Sequence, residues 1–291
     1  MKDPNPAPEG HSTRLPRILK GRYRLLGRCG QGGMATVYRA RDLETTKTVA
    51  IKVMPVPEDW GRLQREVSTL RRIRHPNVVR YIDFYMDDAY AAIVMEYLPG
   101  ETLSKYLQPG RVMPWPWVLR LAREVLEGLA PIHDAGFIHR DVKPANIILL
   151  DAQEPRLKLF DFGVVKPVTQ KLRRITETGL VLGTPTYMAP EQYAGEDLGQ
   201  SVDVYALGVV LWQALTGLVP QGGVLFVPHW PQETGDPPAH VREFIETMVR
   251  AVPRWRHPNA RQCLMALHEV VHGAGCPTLG SNRATIELVA S

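Results

Sequence analysis

The chain has 291 residues, 44% of them hydrophobic, with 35 Lys and Arg against 30 Asp and Glu and a formal net charge of +5. That length suits one large domain or two modest units, and the mild basic excess, with Arg scattered along the chain, fits a solvated surface or acidic and phosphorylated partners rather than nucleic-acid readout. Three widely spaced cysteines, Cys29, Cys263 and Cys276, lack metal-ligand spacing and read as reduced thiols of a cytoplasmic protein; neither a signal peptide nor a membrane segment is expected, the longest apolar stretch (205–219) being too short to span a bilayer.

In chain order, residues 1–20 are rich in proline and are expected to form a flexible tail. From 23 to 53 the pattern is strand-like, a glycine-rich turn followed by β-branched runs such as Thr48-Val49-Ala50-Ile51. Leu63, Val67, Leu70 and Ile73 share a helical face, predicting a helix over 63–73, and 91–97 reads as another strand broken by Pro99-Gly100. Helical spacing follows over 117–135, 201–216, 241–249 and 260–271, the second opening on a capping Ser201 and stopping at Gly217. The stretch 205–219 is expected to be a buried helix, and 218–239 is a long loop rich in Pro and Gly. A mostly β segment before a mostly α segment is the α+β plan.

The most informative residues are His139-Arg140-Asp141-Val142-Lys143-Pro144-Ala145-Asn146, followed by Asp161-Phe162-Gly163 on the next short strand. A carboxylate, an ammonium and an amide within six residues, with a second carboxylate beyond, are the parts that hold magnesium, a triphosphate and a hydroxyl nucleophile in line. Upstream, Gly30-Gln31-Gly32-Gly33 follows a strand, where missing Cβ atoms let backbone amides approach phosphates. Lys52 follows about twenty residues later on an apolar strand.

These motifs, in this order, resemble the protein kinase family, in its bacterial serine/threonine branch, over about 23–271. The resemblance implies a bilobal α+β fold: a tail at 1–20, a β-rich N-lobe at 21–97, a helical C-lobe at 98–271 and a tail at 272–291. It implies ATP as phosphoryl donor, with Mg2+ (Mn2+ as the alternative) held by Asn146 and Asp161, oxygen ligands for a hard cation. Asp141 would accept or orient the hydroxyl proton, and Lys143 would neutralise the γ-phosphate. Lys52, paired with Glu66, would hold the α- and β-phosphates. Cys29, Gly30, Gly32, Gly33, Val37, Ala50, Met95, Glu96, Leu98 and Ile148 would surround the nucleotide, Glu96 through its carbonyl and Leu98 through its amide. Cys29 and Ala35 depart from the family pattern, which has a larger aliphatic residue and a third glycine there.

His139 reads as structural. Thr176 and Thr178, between Asp161 and Ala189-Pro190-Glu191, would be autophosphorylated in trans by a self-associating pair, with Arg140 receiving the phosphate. Glu191 would pair with Arg256, and Asp203 would bind the catalytic-loop backbone. Lys143, two residues after Asp141, is the serine/threonine form, so protein Ser/Thr hydroxyls are the expected substrates. A catalytically silent scaffold and a small-molecule kinase are the competing classes. The intact set Lys52, Glu66, Asp141, Asn146 and Asp161 weighs against the first, and the block 183–191 against the second.

Overall fold

The computed structural model describes residues 17–32, 35–57, 59–153, 155–161, 186–221, 226–231 and 237–272. The chain forms two compact units, Met1–Gln64 with Tyr81–Tyr97, and Arg65–Arg80 with Leu98–Ser291. The first is strand-rich and the second largely helical, the α+β plan expected.

The first unit is a six-stranded antiparallel sheet of β1 (Ile18–Leu19), β2 (Tyr23–Gly32), β3 (Ala35–Asp42), β4 (Thr48–Met54), β5 (Tyr81–Met86) and β6 (Ala91–Glu96), in the order β1-β2-β3-β4-β6-β5. Its core gathers Leu19, Tyr23, Val49, Ile51, Tyr85 and Val94, supplied mainly by β-branched and aromatic residues that fit a pleated, half-buried surface. Lys20 and Gly21, at φ 49° and 65°, make the reversing turn between β1 and β2, closed by Arg22 N–H on Leu19 O at 3.0 Å. Arg22 then forks onto Asp42 at 2.9 and 2.8 Å, and Thr45 and the Glu44 amide add to the same carboxylate. The β2–β3 register slips between Leu25 and Gly27 and again between Arg28 and Gly30, so Leu26 and Cys29 are bulge residues.

Helix α1 (Trp60–Leu70) begins and ends three residues before the expected 63–73. The apolar spacing that suggested Ile73 continues into a turn, with Ile73 N–H on Leu70 O. In the second unit α2 (Trp115–Asp134) opens with Pro114 as its N-cap, two residues earlier than expected. A small antiparallel sheet, β7 (Glu101–Thr102), β8 (Ile147–Asp151) and β9 (Arg156–Leu159), follows the order β7-β8-β9. Further on lie α3 (Pro190–Ala194), α4 (Ser201–Thr216), α5 (Ala239–Met248) and α6 (Ala260–His272).

All sixteen residues of α4 are buried, but Gly217 at φ 66° ends it, so the buried helix expected over 205–219 stops at Thr216 and leaves Leu218 and Val219 exposed. Ser201 does not cap this helix. Gln200 occupies the N-cap position in a helical conformation, with no side-chain cap, and Ser201 is the first helical residue. Tight turns, Val202 N–H on Gly199 O and Asp203 N–H on Gln200 O, take up the donors a cap would have served. Gly208 lets α4 approach the end of α5, since a Cβ there would stand 2.7 Å from Val249 Cγ1 and 2.8 Å from Met248 Cβ. Among the described residues no helix is long and apolar enough to cross a membrane.

Candidate active site

The loop from α2 to β8 carries Asp141, and its shape is set by buried polar groups. Asp203, in the first turn of α4, is fully buried and needs donors there. Its Oδ2 accepts the His139 amide at 2.7 Å, and its Oδ1 accepts the Arg140 amide at 2.8 Å, the backbone role expected. His133 Nε2 adds a third bond to Oδ2 at 2.9 Å. The Ala260 amide donates to His133 Nδ1 at 3.1 Å, so the hydrogen sits on Nε2 and points at Asp203. His133 thereby links the start of α6 to the catalytic loop, a role no local pattern announces.

Arg140 stands at φ 65° and Asp161 at φ 57°, both left-handed. Such backbone costs energy and persists where neighbours over-determine it. His139 is fully buried beneath the loop and accepts the Asp141 amide on Nδ1 at 3.3 Å. Burial pushes its pKa down, against the raising pull of Asp203, Asp141 and Asp161, in keeping with a neutral structural imidazole.

Lys143 and Asn146 both contact Asp141 directly. Lys143 Nζ lies 2.9 Å from Asp141 Oδ2 and 3.1 Å from Oδ1. Asn146 Nδ2 donates at 2.8 Å to Asp141 Oδ2 and at 2.8 Å to its carbonyl. That double bond fixes the Asn146 amide so that its oxygen is the end turned away from Asp141. A short 3-10 turn, Pro144–Asn146, holds this geometry, and the Asn146 carbonyl takes the Phe160 amide at 3.1 Å. Asp161 is the next residue after Phe160 and lies past the end of β9 at Leu159, not on the short strand expected to carry it.

Beyond the loop, Glu191 meets Arg256 in a bidentate pair at 2.6 and 2.9 Å, the partner expected for it. Arg256 also donates to the carbonyls of Arg250, Ala251 and Ser201, and its guanidinium lies 4.7 Å from the Tyr205 ring centroid. Next to Glu191, Gln192 Nε2 donates to the Arg140 carbonyl at 2.9 Å. Gln200 Nε2 donates to the His133 carbonyl at 2.6 Å. The sequence flagged neither glutamine.

In the strand-rich unit, cross-strand register gathers the other candidates. Gly30 is opposite Val37, Val37 opposite Lys52, and Ala50 opposite Met95. Partners in register project from the same face, and Ala50 is two residues from Lys52, so Gly30, Val37, Ala50, Lys52 and Met95 share one face of the sheet. Glu96, opposite Val49, has the other parity, so its side chain projects from the opposite face. Cys29 is exposed at its bulge, with Sγ 3.5 Å from the Val37 carbonyl; partial burial pushes its thiol pKa up. Cys263 is a buried free thiol.

Ile148 lies on β8, Leu98 starts the second unit's main run, and Glu66 is half-buried on α1. Gly33, Cys276, Thr176 and Thr178 lie outside the described residues, and so does the rest of 162–185. Among the described residues no group of three or more His, Cys, Asp or Glu has metal-ligand geometry. A magnesium held by one or two protein oxygens plus phosphates needs no such group.

Residues 23–224 match the family described as protein kinase domain. The chain is 39% identical over 215 residues to serine/threonine-protein kinase pkn2 of Myxococcus xanthus, spanning 72% of this chain and 26% of that protein. It is 40% identical over 210 residues to the DNA damage-responsive serine/threonine-protein kinase RqkA of Deinococcus radiodurans, spanning 70% and 31%. Against serine/threonine-protein kinase PrkC of Bacillus subtilis it is 35% identical over 214 residues, spanning 72% and 32%. The chain thus spans about a quarter to a third of the length of these relatives. Among solved structures, Rad53 1-466 in complex with AMP-PNP superposes with a TM-score of 0.66 at 25% identity, covering 83% of this chain and 64% of that one.

Proposed function

The chain belongs to the protein kinase family, and from that premise we propose that it transfers the γ-phosphoryl group of ATP to serine and threonine hydroxyls of proteins. The observation that carries this reading is the Asp141–Lys143–Asn146 cluster, in which one carboxylate is held by an ammonium at 2.9 Å and an amide at 2.8 Å. The names of the relatives, serine/threonine-protein kinases, support the substrate class.

Phosphoryl transfer asks little covalent chemistry of a protein; it asks for positioning and for charge where charge develops. Asp141 orients the incoming hydroxyl and accepts its hydrogen as the new P–O bond forms and the bond from the γ-phosphorus to the bridging oxygen breaks, releasing ADP. Lys143, now turned to Asp141, is within reach of a γ-phosphate brought to the same carboxylate, and its charge offsets the phosphoryl oxygens. Asn146 and Asp161 would hold Mg2+, and the donor set fits: an amide oxygen turned away from Asp141 and a carboxylate, both hard oxygen ligands. When bound, the cation neutralises charge on the phosphate oxygens. Lys52 takes the α- and β-phosphates. The glycines at 30, 32 and 33 cover the phosphates. Val37, Ala50, Met95 and Cys29 are the side chains of the strand-rich unit proposed for the adenine, with the Glu96 carbonyl for its edge.

Activation by trans-autophosphorylation on Thr176 or Thr178 is part of the same proposal. Arg140 supports it: its Nε is buried and has no hydrogen-bond partner among the described residues, a donor suited to a phosphate. A cytoplasmic location is part of the same reading, in keeping with ATP as the phosphoryl donor.

The test is intact-mass spectrometry before and after Mg-ATP, with Asp141→Asn alongside and a generic basic protein as acceptor. Phosphate added by wild type alone is the expected result, with peptide mapping to Thr176 or Thr178 for the activation step. ATP binding without transfer, from a loop bearing no phosphate at the outset, would overturn the kinase reading in favour of a scaffold.

A further inference from the structure

Both peptide groups that flank Arg140 are clamped by side chains from distant elements. The Arg140 amide goes to Asp203, and its carbonyl takes Gln192 Nε2 at 2.9 Å. The peptide bearing that carbonyl also bears the Asp141 amide, which donates to His139 Nδ1. The 140–141 peptide plane is therefore held at both edges. Because the peptide is planar, its orientation fixes the direction in which Asp141 leaves the backbone. The left-handed φ of 65° at Arg140 makes this more than redundancy, since an unrestrained arginine would relax out of it.

Gln192 can hold a fixed position although α3 is only five residues long. Its neighbour Glu191 is locked in the buried bidentate pair with Arg256. Arg256 in turn reaches three backbone carbonyls. The path from Arg256 through Glu191 and Gln192 to the Arg140 carbonyl is a strut of short, geometrically defined bonds. Gln192 is half-buried, so its amide is not simply solvated.

We propose that Gln192 is a positioning residue for phosphoryl transfer, fixing through the Arg140 carbonyl the peptide from which Asp141 projects. The inference rests on the kinase reading above. Glutamine is the residue type the geometry calls for. Asparagine is one methylene short, leucine brings no donor, and glutamate would set a carboxylate against a carbonyl oxygen, two acceptors facing each other.

The experiment compares steady-state transfer to a peptide by wild type, Gln192→Leu and Gln192→Glu, each brought to equal phosphate content as judged by intact mass. Both variants are expected to lose about ten-fold in kcat, the rate equivalent of one hydrogen bond, with KM for ATP within about two-fold of wild type. The thermal shift produced by Mg-ATP should be unchanged, because Gln192 touches no part of the nucleotide. If the leucine variant fails to fold, the glutamate variant decides alone. A glutamate variant with wild-type kcat overturns the inference and leaves the kinase reading standing. So does a loss confined to KM or matched by a lost ATP shift. A wild type that transfers no phosphate sinks the kinase reading, and this inference with it.

Discussion

His133 reaches Asp203 across 70 residues of sequence, and the Ala260 amide, 127 residues from His133, fixes which nitrogen carries the hydrogen. One imidazole thus ties α2, α4 and α6 to the catalytic loop. His133→Ala would leave the Ala260 amide unsatisfied and remove one of three donors from a buried carboxylate. A loss of about 2–4 kcal/mol is expected from denaturant unfolding, in the range for breaking a buried polar network. Transfer activity should fall with it, because the Asp203 bonds shape the backbone at Arg140. A variant as stable as wild type would contradict this account of the network.

Removing one member of the Glu191–Arg256 pair should cost more than removing both. Arg256→Met leaves a buried carboxylate uncompensated and three carbonyls without their donor, so about 3–5 kcal/mol should be lost. Adding Glu191→Leu should recover part of that loss. The double-mutant cycle reads the coupling directly, and a cycle that closes at zero would count against the pair as a unit.

The Arg22 guanidinium beside Asp42 holds its carboxyl well below the usual carboxylate range, with Thr45 and the Glu44 amide pulling the same way and burial opposing. A carboxyl whose folded pKa is depressed contributes stability above its unfolded value of about 3.9, and that contribution drains away as pH falls through the folded value. The expected result is an acid limb below about pH 4 in a urea-midpoint-against-pH profile, flatter in Asp42→Asn. An unchanged limb in the variant would show that Asp42 has no part in it.

Gly208→Ala should destabilise by about 1–3 kcal/mol, because a methyl inserted 2.7 Å from Val249 forces α4 and α5 apart. Thermal melting would report it. A melting point at or above the wild-type value would mean the helices yield more easily than this close contact implies.

How much was legible in the sequence depended on how local each signal is. The residues 139–146 and Asp161 announced themselves because phosphoryl transfer needs those groups at short spacing. The bounds of helix α4 were readable from Ser201 and Gly217, although the apolar run that suggested a buried helix outlasts it to Val219. Its start was misread in kind, since Ser201 looks like a cap in sequence whereas backbone turns at Gly199 and Gln200 do that work. Helix α1 was displaced by three residues because apolar spacing outlasts the helix itself. Gln192 and Gln200 left no trace, for their partners lie 52 and 67 residues away and glutamine is ordinary on a helix surface. Register put Lys52 opposite Val37, and no pattern in a single strand encodes its neighbour.

The partners of Glu191 and His133 also bear on where this chain could be cut. Residues 23–224 carry the family's motifs, yet Arg256 and Ala260 lie past the end of that segment and the fully buried Leu19 lies before its start. A fragment trimmed to the matched span would keep Asp141, Lys143 and Asn146 and lose two of the anchors that hold the polypeptide around them in register. The smallest piece able to fold by itself should therefore run at least from Leu19 to Ala260, and a recognisable motif set is a poor guide to where such a piece begins and stops.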